Sequence, residues 1–110
     1  MTFKPCIKVL DDREGTGRSA KKGDVVKVLL NGWLNKGEII QNNYLGSFVL
    51  GARNVIPGIE YSIEGMKSGG TRKVKISPYL GYGEDGVLGI IPPNAVLFYE
   101  IVLLDIEPNT

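Results

Sequence analysis

Three glycines, Gly81, Gly83 and Gly86, stand at the G-x-G-x-x-G spacing that cradles a dinucleotide phosphate. That motif needs a strand before it and a helix after it. Here Gly89, Pro92 and Pro93 follow, and they forbid the helix whose first amides would hold the phosphate. The glycines read instead as the bends of an irregular loop. The chain has no histidine, which removes Ser-His-Asp and Cys-His nucleophile systems and histidine metal sites. Ser62 lacks a base to activate it and reads, with Glu60 and Glu64, as a solvated helix face. Asp11, Asp12, Arg13 and Glu14 read as a surface turn, and Arg72, Lys73 and Lys75 as the wet side of a strand. The single cysteine, Cys6, has apolar neighbours and reads as a half-buried structural thiol. Trp33 reads as core rather than as a binding platform. No cofactor and no metal are expected.

What remains is different in kind. Val55 and Ile56 precede a predicted helix start, Tyr82 lies between two glycines, and Ile90 and Ile91 precede a diproline. Tyr99 falls on the inner face of the last predicted strand. If the loop 79–95 folds over the sheet beside the helix, these six side chains line an apolar hollow with a few polar tips. A helix start leaves backbone N–H groups unpaired, so the Ile56 amide is available to a ligand carbonyl. Pattern alone favours the plainer reading, in which all six are ordinary core.

The elements that must position these groups are mostly strands. In residues 25–34, Val26, Val28 and Leu30 share one face, with Val25, Lys27 and Leu29 on the other. Phe48 and Leu50 suggest a second strand. In TRKVKIS, Val74 and Ile76 point one way and Thr71, Lys73 and Lys75 the other; later, Leu97, Tyr99, Ile101 and Leu103 share a face. Residues 6–10 suggest a further strand, and 35–47 a turn, a short strand and a bulge or loop. Ile59, Ile63 and Met66 recur at helical spacing after Pro57, which suits a first helical turn, and Gly65 is placed to end it. The fold class is α+β: a mostly antiparallel sheet with one short helix on its apolar face.

Composition bounds the rest. The 110 residues suffice for one domain, and 43% are hydrophobic, as a folded core requires. The 13 basic and 12 acidic residues leave a net charge of +1, which argues against a nucleic-acid partner. One cysteine precludes an internal disulfide and fits a reducing compartment. The N-terminal residues lack a signal-peptide core and no run reaches transmembrane length, so a soluble, cytoplasmic protein without membrane contact is expected.

The segments VIPGIEYSIEGMKSGG, KISPYLGYG and GIIPPNAVLFYEIVLL, with GDVVKVLLNGWL before them, resemble the FKBP family of tacrolimus- and rapamycin-binding peptidyl-prolyl cis–trans isomerases. The likeness spans nearly the whole chain, and Val55 to Glu107 follows the family pattern without a gap. It implies one domain over residues 1–110, with about five antiparallel strands wrapped around a short helix. It implies that Tyr82 bonds a ligand carbonyl and that the Ile56 amide is a second donor. Tyr99 stands where the family has an aromatic, usually phenylalanine. Leu30, Ile40, Val55, Ile59 and Ile91 become substrate-binding residues, with Ile59 at the pocket floor in place of a frequent tryptophan. On the early strands the sequence departs from the pattern. Leu30 stands for a tyrosine, Ile40 for a phenylalanine and Gln41 for an aspartate, and the loop from Asn43 to Phe48 is short. An aromatic is lost there unless Tyr44 supplies one.

Isomerisation of an X–Pro bond needs no acid, base or nucleophile. The twisted amide carries less charge on its oxygen, so an apolar, water-free pocket favours it over either planar form. The resemblance therefore implies an isomerase acting on X–Pro bonds, with Tyr82, Ile56, Gln41 and Tyr99 as catalytic residues and weak activity from the softened wall. Proline-containing peptides or client proteins are the implied partners of a monomer, and macrolides such as tacrolimus or rapamycin bind with reduced affinity. The alternative is a peptide-binding or chaperone module that keeps the fold with little or no isomerase activity.

Overall fold

The computed structural model describes residues 6–108. The ends of the expected 1–110 domain, residues 1–5 and 109–110, lie outside the described residues. Seven strands and one helix follow in order: β1 (Ile7–Arg13), β2 (Thr16–Ser19), β3 (Val25–Leu34), β4 (Ile39–Val49), α1 (Pro57–Ile63), β5 (Lys67–Ser68), β6 (Thr71–Ile76) and β7 (Leu97–Glu107). Five of them form one antiparallel sheet in the order β1-β6-β7-β3-β4, and β2 pairs with β5 in a second, two-stranded sheet.

The alternation read from the sequence is the alternation of burial. Val26, Val28 and Leu30 of β3, Val74 and Ile76 of β6, and Leu97, Tyr99, Ile101 and Leu103 of β7 all point into one core. Helix α1 covers that face, packing on β6 and β7 and burying Ile59 and Ile63. Seven residues are too few for a stable free helix, so this packing is what holds it. Pro57 occupies its first turn, and Gly65, at φ +90°, follows its C-cap and donates its N–H to the Ala20 carbonyl at 2.9 Å. Among the described residues no helix is long and apolar enough to cross a membrane.

The segment 35–47 is more regular than expected. A turn at residues 35–36 leads toward β4, which runs for 11 residues. Two bulges let the pairing continue. Between Leu30↔Tyr44 and Gly32↔Gln41, two steps along β3 answer three along β4, and between Gly32↔Gln41 and Trp33↔Ile39 one step answers two. Asn43 takes φ 48° at the first bulge and donates its N–H to Asn31 Oδ1 at 2.8 Å. Bulges of this kind re-aim side chains, and here they re-aim Ile40 and Gln41. Leu50, expected in the strand, lies in the turn just after it, where it is buried and donates its N–H to the Asp24 carbonyl at 2.8 Å.

Four surface or core assignments change. Asp11, Asp12 and Arg13 belong to β1, opposite Lys73, Arg72 and Thr71 of β6, and are not a turn. Arg72 is not on the wet side: it shares the inner face with Val74 and Ile76 and is 7% exposed. Its Nε and Nη2 each donate to the Asp12 carboxylate at 3.2 Å, and Nη1 donates to the Ser62 carbonyl at 2.8 Å. Ser62 is buried rather than solvated, with its hydroxyl donating to the Gly58 carbonyl at 2.6 Å. Trp33 is half-buried on the outer sheet face. There its ring meets Lys73 at 5.8 Å and, with Phe98, lines a shallow cavity of about 230 Å³.

The guanidinium of Arg72 is tolerated inside because its donors are met, and removing one partner leaves a buried charge uncompensated. Asp12→Ala is therefore expected to lower stability by about 1–3 kcal/mol, measured by denaturant unfolding. A loss within experimental error would mean that water replaces the carboxylate.

Candidate functional site

The inner face of β7 carries Tyr99 across from Gly32 of β3. A side chain at position 32 has no room: a Cβ there would lie 2.7 Å from Tyr99 Cζ, 2.8 Å from Cε1 and 3.1 Å from Ile40 Cγ1. The tyrosine ring thus lies on bare backbone, with Ile40 beside it. The hydroxyl donates to Gln41 Oε1 at 2.6 Å. Burial raises the Tyr99 phenol well above the ordinary tyrosine range, and the Tyr82 phenol adds to the shift. Both stay protonated at neutral pH, because burial raises Tyr82 as well.

Tyr82 is brought there by a loop that satisfies its own backbone. A 3₁₀ turn at Pro78–Leu80 leads into it, and the Gly83 N–H donates to the Pro78 carbonyl at 2.9 Å. Val87 and Ile91 exchange two N–H···O bonds of 2.8 Å, and the Asn94 N–H returns to the Gly83 carbonyl at 2.8 Å. Gly86 is required at the crossing, since it has φ +60° and a Cβ would meet Pro92 O at 2.8 Å. This is why the segment carries glycines without binding a nucleotide: they fold a stapled hairpin, and the diproline returns it to β7. Ile91 points inward and is buried, whereas Ile90, expected beside it in the hollow, points out at 62% exposed. Strand-like alternation across the Val87–Ile91 bridge separates the two.

The expected residues divide into a floor and a rim. Leu30, Ile59, Ile91 and Tyr99 are buried members of one apolar cluster, and Ile40, Val55 and Ile56 pack partly buried against it. Gln41 is half-buried, and Tyr82 is 37% exposed. Among the described residues neither the Tyr82 hydroxyl nor the Ile56 N–H has a protein partner. Ile56 is the residue before α1, at φ −59° and ψ 148°, and no side chain caps it. Tyr44 pairs with Leu30 on the inner face, but its ring folds over Gly46 and remains half exposed. A cavity of about 510 Å³ lies beside the helix between Lys22, Arg53, Pro57 and Glu60, and of the expected residues only Val55 reaches it. Two site features went unread in the sequence. Val87 packs on the core and braces Ile91. Gly32 carries a signal that was there to read, since a glycine inside a strand often marks a close approach.

The buried members are apolar, and the Tyr82 hydroxyl and the Ile56 N–H are donors without a protein partner among the described residues. Among the described residues no group of three or more His, Cys, Asp or Glu is placed to hold a metal ion. Comparison with known proteins shows the family of the chain. Residues 16–104 match the family described as FKBP-type peptidyl-prolyl cis-trans isomerase. An FK506-binding protein of Neisseria meningitidis serogroup B is 38% identical over 100 residues, 87% of this chain and 92% of its own length. FK506-binding protein 4 of Neurospora crassa is 41% identical over 102 residues, 89% of this chain and only 22% of its own length. The crystal structure of FkpA from Escherichia coli superposes with a TM-score of 0.81 at 36% identity, covering 94% of this chain and 48% of that one.

Because its hydroxyl has no protein partner to orphan, Tyr82→Phe is expected to leave stability nearly unchanged. Affinity for a short proline peptide should fall by about 0.5–1.5 kcal/mol, the net worth of one hydrogen bond. Calorimetric titration beside thermal unfolding measures both, and an unchanged affinity would assign Tyr82 to packing alone.

Proposed function

The chain belongs to the family of FKBP-type peptidyl-prolyl cis–trans isomerases, and from that membership we propose that it turns X–Pro bonds, slowly, in the cleft beneath Tyr82. The observation that carries this reading is the pair of donors without a protein partner among the described residues, the Tyr82 hydroxyl and the Ile56 N–H, on elements that pack against the apolar core. The barrier to rotation is about 18–20 kcal/mol, because twisting destroys amide resonance. Uncatalysed exchange takes roughly tens to hundreds of seconds. Proline sits on Leu30, Ile59, Ile91 and Tyr99, and Val55 and Ile40 flank it. The Tyr82 and Ile56 donors anchor peptide carbonyls on either side of the bond being turned. Water is excluded, so the planar amide loses more than the twisted one, and each tenfold gain in rate takes about 1.4 kcal/mol of that difference.

The reading of slow turnover rests on the wall formed by Leu30, Ile40 and Gln41. It is aliphatic and uncharged, where the family resemblance puts two aromatic rings and a carboxylate. For the same reason tacrolimus and rapamycin bind here more weakly than to a typical member, since each lost aromatic contact costs about 0.5–1.5 kcal/mol beyond its area. A second reading, a client-binding module with no isomerase activity, draws support from the fully exposed Leu88 and the exposed Ile90 on the loop above the cleft.

A protease-coupled assay on a short X–Pro peptide separates the two. We expect isomerisation faster than the uncatalysed rate, and kcat/KM flat from about pH 6 to 9. The chain has no histidine, and both cleft phenols hold their protons above the ordinary tyrosine pKa of about 10. A rate equal to the uncatalysed one, with the peptide still bound, would leave the binding module as the function.

A further inference from the structure

The hydrogen bond between Tyr99 and Gln41 decides more than the position of a ring. We propose that Tyr99 is a positioning residue that turns the Gln41 carboxamide into a hydrogen-bond donor, so that this wall of the cleft selects the carbonyl oxygens of a peptide and rejects donor groups. The proposal rests on the reading of the cleft as the peptide site. At 2.6 Å the bond has the length of an O–H···O contact rather than an N–H···O one, so the phenol donates and the carboxamide oxygen accepts. The end of Gln41 that faces Tyr99 is thereby fixed. What remains is Nε2, whose two hydrogens have no acceptor among the described residues.

The ring that makes this choice cannot easily move. Tyr99 is 1% exposed, lies on the backbone of Gly32 and is flanked by Ile40. Its proton is also held, since burial pushes the phenol upward. Gln41 itself is placed by the two bulges of β4, which bring residue 41 opposite Gly32 and within reach of β7. A carboxylate at the same point would accept bonds and donate none. The neutral carboxamide therefore reverses the polarity of that wall. Its ligand is the acceptor side of an extended peptide, a backbone carbonyl flanking the proline. An ammonium, which has donors and no acceptor, would meet N–H against N–H at the same place.

The test is a double-mutant cycle on binding of a short capped X–Pro peptide, read by calorimetry, with thermal unfolding of every variant. Tyr99→Phe and Gln41→Leu should each weaken binding about three- to tenfold. The double variant should be no weaker than Gln41→Leu alone, because Tyr99 acts through Gln41. A structural role for Tyr99 would instead make the two losses multiply. Gln41→Glu supplies a second readout: its binding should be weak at neutral pH and recover as the carboxyl protonates in the acid range, whereas the parent protein binds equally across that range. In the parent protein alone, NMR should show the two Gln41 Nε2 protons shifting when peptide is added, which keeps the test open if Tyr99→Phe misfolds. Binding that is indifferent to Tyr99→Phe, or losses that multiply, would overturn the positioning role and leave the cleft intact. Failure of the parent protein to bind any proline peptide would overturn the cleft reading and this proposal with it.

Discussion

One close contact organises the site: the ring of Tyr99 against the bare backbone of Gly32. Everything else in the cleft is arranged around that approach. A methyl group at position 32 would collide with the ring at 2.7 Å, so the sheet must be open to a large side chain from β7 just where β3 offers none. With the ring in place, its hydroxyl falls beside β4, and β4 must deliver an acceptor to it. The two bulges do so by letting five residues of β4 span the distance that three of β3 cover. Ile40 then closes the edge of the ring and Gln41 takes the hydroxyl proton. The result is a buried aromatic whose polar end is satisfied, which is the condition for keeping a phenol inside a core.

The same economy governs the loop above it. Its backbone groups are met within the loop by the Val87–Ile91 pair and the Asn94–Gly83 bond, so it needs few contacts with the sheet to hold its shape. It presents Tyr82 at the surface and tucks Ile91 inward, while Leu88 and Ile90 face solvent. On the far side of the core, the Arg72–Asp12–Ser62 network ties β6, β1 and α1 together. That network holds the helix whose N-cap residue, Ile56, supplies the other donor without a protein partner among the described residues.

The sequence made the strands and the helix legible because both rest on periodicity, and buried faces enforce period strictly. Val26, Val28 and Leu30, and Leu97 through Leu103, could hardly occupy other faces. The resemblance assigns Leu30, Ile59, Ile91 and Tyr99 to a binding cleft, and in the structure all four are buried members of the hydrophobic core. What escaped were the exceptions to period. Arg72 looks like a surface cation until Asp12, 60 residues away, and the Ser62 carbonyl are seen to receive it. For 35–47 the sequence suggests a turn, a short strand and a bulge or loop, but the length of the strand and the places of its two bulges leave no mark in it. The bond from Tyr99 to Gln41 spans 58 residues and depends on those bulges. Where the resemblance puts tyrosine at position 30 and phenylalanine at 99, this chain has Leu30 and Tyr99. The two departures look unrelated along the chain, and across the sheet they move one hydroxyl from β3 to β7.

The central claim is that the inner face of the sheet at Tyr99, between Ile56 and the Tyr82 loop, is where a proline peptide binds. An NMR titration with a short X–Pro peptide tests it most directly. The account predicts shifts in the backbone amides of 55–59 and 82–91 and in residues 40 and 41. Shifts confined to the outer face, at Trp33, Lys73 and Phe98, would contradict it.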